Sequence, residues 1–318
     1  MKRFLILTGI VLALASCKIH EWPEGERLNP YIQVDLNLKF QEDIPIYKDV
    51  AAEDVRANAD VRRRVTINVY KLLPDGSIPE DATPQHSYEF YGDRTTFSFR
   101  VPSASYRIMA WADYSAGMAG WWDASKFQGI KLKYRTHEGN NEGLRAFRGI
   151  VDANLEGLKN GNDRVTLDMD MIMPMAKFRI ISTDKAELKA RMETDNLDFS
   201  QFVVKLRYAQ FMPNSFGMFH DKPVDSEAGV SFVTKVIESA DGNVDLGFDY
   251  VLINGKETAV PVAVELYNKA GKLLNTTTVN IPLLRSHLTI VRGAFFTTQS
   301  ASGITINPGF DGSFTVEI

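Results

Sequence analysis

Arg164-Val165-Thr166-Leu167-Asp168-Met169-Asp170-Met171-Ile172-Met173 is the stretch whose reading sets the fold class. Val165, Leu167, Met169, Met171 and Met173 share one face of an extended chain, while Thr166, Asp168 and Asp170 share the other. Successive side chains of a strand point to opposite faces, so this alternation describes a sheet with one buried and one wet side. Antiparallel sheets read this way. Pro174 interrupts the run and the phase changes behind it: Phe178 and Ile180 are expected to face in, Lys177 and Arg179 out. Proline cannot donate to a ladder, so it suits a point where the chain leaves one sheet for another. A domain boundary is placed here.

The same grammar runs outward in both directions. Upstream, Val65, Ile67 and Val69 alternate with polar neighbours before a Leu73-Pro74-Asp75-Gly76 turn. Phe97, Phe99 and Val101 form a further stripe, and Tyr106 to Trp111 another, with Trp111 at a core position. Downstream come Val204, Leu206 and Tyr208, then Val260, Val262, Val264 and Leu266. Asn268-Lys269-Ala270-Gly271 reads as a hairpin loop with glycine in the left-handed region. One segment reads as a short helix, with Asp184 as cap and Glu187 as its capping-box partner. Strands at this spacing with one short helix predict an all-β chain of two tandem β-sandwich domains, 31–173 and 174–318.

The N-terminus carries a different signal. Lys2 and Arg3 precede an apolar run from Phe4 to Ala15, and Leu14-Ala15-Ser16-Cys17 follows. A basic start, a short apolar region and small residues before a cleavage point describe a secretory signal, here residues 1–16. The run is too short for a helix crossing a hydrocarbon core, which needs roughly 20 residues. A cysteine at the cleavage point is a lipobox, so Cys17 is expected to carry the lipid that holds the chain on a membrane. Residues 17–30, polar and holding two prolines, read as a tether. Lys18 gives no acidic retention cue, which directs the chain to the outer membrane. Loss of the leader takes the net charge from −4 to −6, the wrong sign for nucleic acid. The single cysteine, once acylated, leaves none for an internal disulfide.

The catalytic inventory is nearly empty. The histidines at 20, 86, 137, 220 and 287 show no metal-ligand spacing, and no nucleophile elbow, phosphate loop or H-E-x-x-H is present. Asp241-Gly242-Asn243-Val244-Asp245 opens like a calcium loop, but Leu246 and Leu252 stand where glycine and glutamate are required, so it reads as a turn. The expectation is no enzyme, no metal and no cofactor.

Two features bear on binding. Residues 113–147 are rich in glycine and aromatics, and a loop of that length is functional or hides short strands of its own. In it Trp121 and Trp122 could stack on a sugar ring or a partner surface, or fold back as a lid; the lid is preferred, because aromatics more often pack. At the other end Phe314, Val316 and Ile318 share one face of a terminal strand. That strand pairs within its own sheet by default, or is donated to a neighbouring subunit.

Several motifs together resemble a known family: the lipobox, the Glu21-Trp22-Pro23-Glu24 tether, Tyr106-Arg107-Ile108-Met109-Ala110-Trp111-Ala112-Asp113-Tyr114, the Met173–Phe178 junction, Gly247-Phe248-Asp249-Tyr250-Val251 and Leu288-Thr289-Ile290-Val291-Arg292-Gly293. The chain looks like a Bacteroidales fimbrillin-related surface lipoprotein, a group that includes FimB-type fimbrial anchor and accessory subunits. The resemblance implies two transthyretin-like (Greek-key) β-sandwiches, a lipid anchor in the outer membrane, surface exposure, and pilin partners joined by strand addition. It carries over no catalytic residue. Pilins of this type lose an N-terminal strand to an arginine-specific protease, which directs attention to Arg62-Arg63-Arg64; a basic loop flank is the preferred reading there. The expected function is a fimbrial anchor or accessory, adhesive subunit. The alternative is a glycan-binding lipoprotein of a polysaccharide-uptake system, with Trp121 and Trp122 as its platform.

Overall fold

The alternating stretch forms the strand Arg164–Met171, with Met169 and Met171 buried. The computed structural model describes residues 31–41, 61–116, 119–133, 137–158, 163–193, 198–234, 236–239, 241–298, 305–308 and 313–317. The leader, Cys17, the tether and Ile318 lie outside them. Arg164–Met171 pairs in parallel with Tyr31–Phe40, Val34 opposite Val165 and Leu36 opposite Leu167. The antiparallel expectation is therefore corrected at this seam. Period two reports which face is buried, not the direction of the neighbour, and parallel strands need a long crossover such as the chain provides here.

Tyr31–Phe40 is the middle of a three-stranded sheet completed by Thr96–Pro102. Facing it is a sheet of His86–Tyr91, Val61–Lys71, Ser105–Ala116 and Ala119–Gly120, with Ala146–Asn154 also paired to Ser105–Ala116. Ile32, Val34 and Leu36 from the first sheet share one core with Ile67, Ile108 and Trp111 from the second. Trp111 is fully buried, as its place in the alternation predicts.

Beyond Pro174 a second core forms between two further sheets. One runs Ile237–Glu238, Val244–Leu252, Met175–Ser182, Leu288–Gly293, Ser313–Glu317, Thr305–Pro308. The other runs Ser231–Thr234, Phe202–Tyr208, Glu257–Asn268, Leu273–Leu284. Phe178, Ile180, Val204, Leu206, Val264 and Val291 meet between them. The hairpin loop closes through Gly271, whose φ of 80° is one that L side chains rarely adopt. The chain is all-β in class; among the described residues its α-helix is Lys185–Arg191.

Three local expectations are corrected. Lys177 does not face water: it is fully buried, because the outer face of Met175–Ser182 is covered by another part of the chain. Asp184 stands at the helix N-cap but makes no side-chain cap bond; its carboxylate accepts instead from the backbone N–H groups of Phe296 and Thr297. Arg62, Arg63 and Arg64 are no loop flank but lie inside the strand Val61–Lys71, where Arg64 is buried and forks onto Asp113 at 2.9 and 2.5 Å.

A fifth sheet explains the glycine- and aromatic-rich stretch. Trp122–Asp123 and Ile130–Leu132 pair with each other, and Ile130–Leu132 pairs with Met212–Gly217, whose other neighbour is Lys222–Glu227. Half of this sheet precedes Pro174 and half follows it. Phe216, Phe248, Tyr250 and Leu288 accordingly belong to the first core, although they lie late in sequence.

Candidate functional site: a buried interlock and a terminal strand

The segment His137–Phe147 is the cover over Lys177. It docks on Met175–Ser182 and Val244–Leu252 through three successive contacts, passing from the face that carries Asp249, opposite Phe178, to the face that carries Lys177 and Tyr250. His137 Nε2 lies 2.6 Å from Asp249 Oδ2, and the Tyr208 hydroxyl donates to that same oxygen at 2.7 Å. Asn140 donates its backbone N–H to the Phe248 carbonyl at 2.9 Å, and Phe248 N–H donates back to Asn140 Oδ1 at 2.7 Å. Glu142 then accepts from Lys177 Nζ and from the Tyr250 hydroxyl, each at 2.5 Å.

The local backbone fits this docking. Asn141 caps the short helical turn Glu142–Leu144 through Gly143 N–H, which aims the Glu142 side chain inward. Gly247 has a φ of +102°, and a Cβ there would stand 2.3 Å from Asn140 Oδ1. Glycine is required here both for its backbone conformation and for the close approach. A register shift between Ile180 and Ile181 accompanies it.

The electrostatics are those of a closed site. Burial pulls the Lys177 ammonium below the usual lysine range, against the opposing pull of Glu142. Burial and the neighbouring Glu142 push the Tyr250 hydroxyl well above its ordinary value; burial and Asp249 do the same to Tyr208. At His137 burial works against the charged ring, but the charge of Asp249 and its hydrogen bond outweigh it, so the pKa rises. Lys177 Nζ also stands 4.2 Å from the Phe248 ring centroid, a cation–π contact. His137 and Asp249 form a pair of the kind found in hydrolytic triads, but the third member bonded to Asp249 is Tyr208, on the same carboxylate oxygen. Both side chains are closed to solvent, at 7% and 0% exposure. This arrangement fastens a segment in place. Asp221 adds a second tie, held between Arg148 of the first core's sheet and Arg285 at 2.7 Å each.

Trp122 is 2% exposed; its Nε1–H donates to Leu144 O at 3.0 Å and its ring meets Trp111 edge-on at 5.6 Å. Trp121 is half-buried, its indole nitrogen against Gly143. Ser313–Glu317, which carries Phe314 and Val316, pairs within its own sheet: parallel to Leu288–Gly293 and antiparallel to Thr305–Pro308. Among the described residues no cluster of three His, Cys, Asp or Glu is arranged to hold a metal, and no helix is long and apolar enough to cross a membrane. The interlock itself gave little advance signal. His137, Asn140 and Glu142 belong to no motif, and only the clustering of glycine with aromatics in 113–147 marked their neighbourhood.

An all-β chain with two sandwich cores and a sealed polar junction is what the family assignment must fit. The chain belongs to the family of unknown function DUF6562, whose model matches residues 29–318. Among curated proteins none matches it. Solved structures are similar at low identity. A proposed polysaccharide-binding protein of Bacteroides thetaiotaomicron VPI-5482 is 15% identical, with a TM-score of 0.48, covering 78% of this chain and 80% of that one. The fimbrial anchor protein Mfa2 of Porphyromonas gingivalis is 11% identical, with a TM-score of 0.45, covering 77% and 81%. A fimbrial assembly protein of Parabacteroides distasonis ATCC 8503 is 10% identical, with a TM-score of 0.42, covering 90% and 98%.

Proposed function

We propose that this chain is a lipid-anchored, non-catalytic surface protein that ties into a fimbria as an anchor or accessory subunit. The observation that carries the reading is Cys17, placed behind a basic and apolar leader and ahead of a polar tether. A single acyl chain gives only marginal attachment, so a lasting anchor needs more than one lipid signal, which a diacylated N-terminal cysteine supplies. The rest of the chain suits a load-bearing role. Its two cores are joined by buried ion pairs and by a sheet with strands from both, rather than by a bare linker. Strand addition, in which one chain lends a strand to the sheet of another, is the mode of contact proposed for Ser313–Glu317.

The test is a pull-down from outer membranes of the native host, using tagged full-length protein beside a variant lacking residues 311–318. Samples are run in SDS with and without boiling. The expected result is a heat-sensitive ladder containing a second, pilin-like protein. Its loss in the truncated variant, at unchanged circular dichroism, assigns the terminal strand to the contact. A lone monomer band in both lanes overturns the fimbrial reading.

A further inference from the structure

A shallow depression of about 170 Å³ lies on the second core, away from both tryptophans of the aromatic stretch. Its floor is apolar and buried: Val251, Leu252 and Val260. Its rim is formed by Gln210, Phe211, Asn254 and Thr258, all exposed. Phe211 is 69% exposed, more than any other large apolar side chain of the described residues. Single exposed apolar residues are ordinary on protein surfaces. This one differs in standing over a concavity whose polar rim is unspent: among the described residues no protein group hydrogen-bonds the side chains of Gln210, Asn254 or Thr258. The backbone beneath is fixed, with Ala209 N–H donating to Pro261 O at 3.0 Å and Ile253 N–H to Pro174 O at 3.1 Å.

We propose that this depression is a binding site for a neutral pyranose, a terminal or branch sugar of a glycan. The lining contains no charged side chain, so neither a phosphate, a carboxylate nor a metal ion has a counter-charge there. The volume is well below the roughly 300–1,000 Å³ of sites that enclose drug-sized ligands, which leaves room for one ring and not for a lipid chain. An aromatic face carries negative quadrupole density, and the C–H face of a sugar ring presents the positive partner to it. Amides both donate and accept, as does the threonine hydroxyl, and this matches the dual character of sugar hydroxyls. Phe211 supplies the stacking face, Gln210 and Asn254 the hydroxyl contacts, and Val260 with Leu252 the dry floor.

The experiment is ligand-observed saturation-transfer NMR on the full-length protein in detergent, with the methyl glycosides of glucose, galactose and mannose as probes. The expected result is transfer to ring C–H protons of at least one of the three. Phe211→Ala then weakens binding about tenfold, the scale of a lost aromatic contact, at unchanged melting temperature. A Gln210→Ala/Asn254→Ala double variant weakens it too, while Trp121→Ala leaves it unaltered. No transfer from any of the three glycosides overturns the proposal, as does transfer that survives Phe211→Ala. The site is independent of the fimbrial reading: the pull-down and the saturation transfer can each fail without the other.

Discussion

Lys177 Nζ and Glu142 Oε1 are 2.5 Å apart with their side chains 0% and 2% exposed, so a strand of the second core and a segment of the first meet through a sealed ion pair. Two charges removed from water are expensive, and the pair persists because Tyr250, Arg145 and the Phe248 ring complete its surroundings. Removing one member leaves the other charged and buried. Lys177→Met is therefore expected to cost about 3–5 kcal/mol in urea unfolding. Adding Glu142→Gln to it is expected to recover part of that loss, since the buried carboxylate that has lost its ammonium is then gone. Additive losses in the double-mutant cycle would show that the two residues do not act as a pair.

This contact also marks where the sequence stopped being legible. Alternation assigned Phe178 and Ile180 correctly, because burial on one face of a strand leaves a period-two record that needs no partner to be known. The same logic sent Lys177 outward, because a lysine opposite an apolar stripe normally faces water. What covers it is a segment 35 residues upstream, carrying one glutamate with no periodicity to betray it. The parallel pairing of Tyr31–Phe40 with Arg164–Met171 was hidden for a related reason: one face of this pair is left uncovered, so both strands alternate as antiparallel strands usually do. Turns were readable because their chemistry is local. Asp241-Gly242-Asn243 does close a tight turn, with Gly242 at φ 83° and Asn243 N–H bonded to Asp241.

Trp122 fills a slot between Trp111 and Leu144, and its backbone carbonyl accepts from Arg64 at 2.7 Å. Trp122→Ala is expected to lower stability by about 3–5 kcal/mol, the usual range for emptying a buried aromatic site. Trp121, half-buried, is expected to cost distinctly less on the same change. Thermal melts of the two variants side by side are the check, and equal losses would mean that Trp121 is as deeply integrated as Trp122.

Gly247 is the residue against which Asn140 is seated. Gly247→Ala places a methyl group into the space of Asn140 Oδ1 and imposes a φ that L residues rarely adopt. A loss of about 1–3 kcal/mol is expected from backbone strain alone. The added consequence is local: with Asn140 displaced, residues 137–145 lose their central contact, and limited proteolysis should cut there first. Cleavage patterns identical to wild type would show the segment to be held by its ends, His137 and Glu142, without Asn140.

His137 gives the interlock a dependence on pH, and its sign follows from the direction of its shift. Its folded-state pKa lies above the ordinary value of 6.5, since Asp249 stabilises the imidazolium more than burial destabilises it. Folding therefore favours the protonated ring. The stabilisation is complete below pH 6.5 and fades as pH rises through the folded-state value. Glu138 and Glu227, also near the ring, push in the same direction as Asp249. His137→Gln keeps a hydrogen-bond donor but cannot carry the charge. At about pH 5.5 it is expected to cost roughly 1.5–3 kcal/mol, the worth of a charge-assisted bond, and the difference from wild type should shrink toward alkaline pH. Chemical denaturation of both proteins across this range reads the effect directly. A gap that stays constant with pH would mean that the ring acts only by packing against Phe232 and Tyr208, its aromatic neighbours at centroid distances of 5.7 and 6.4 Å.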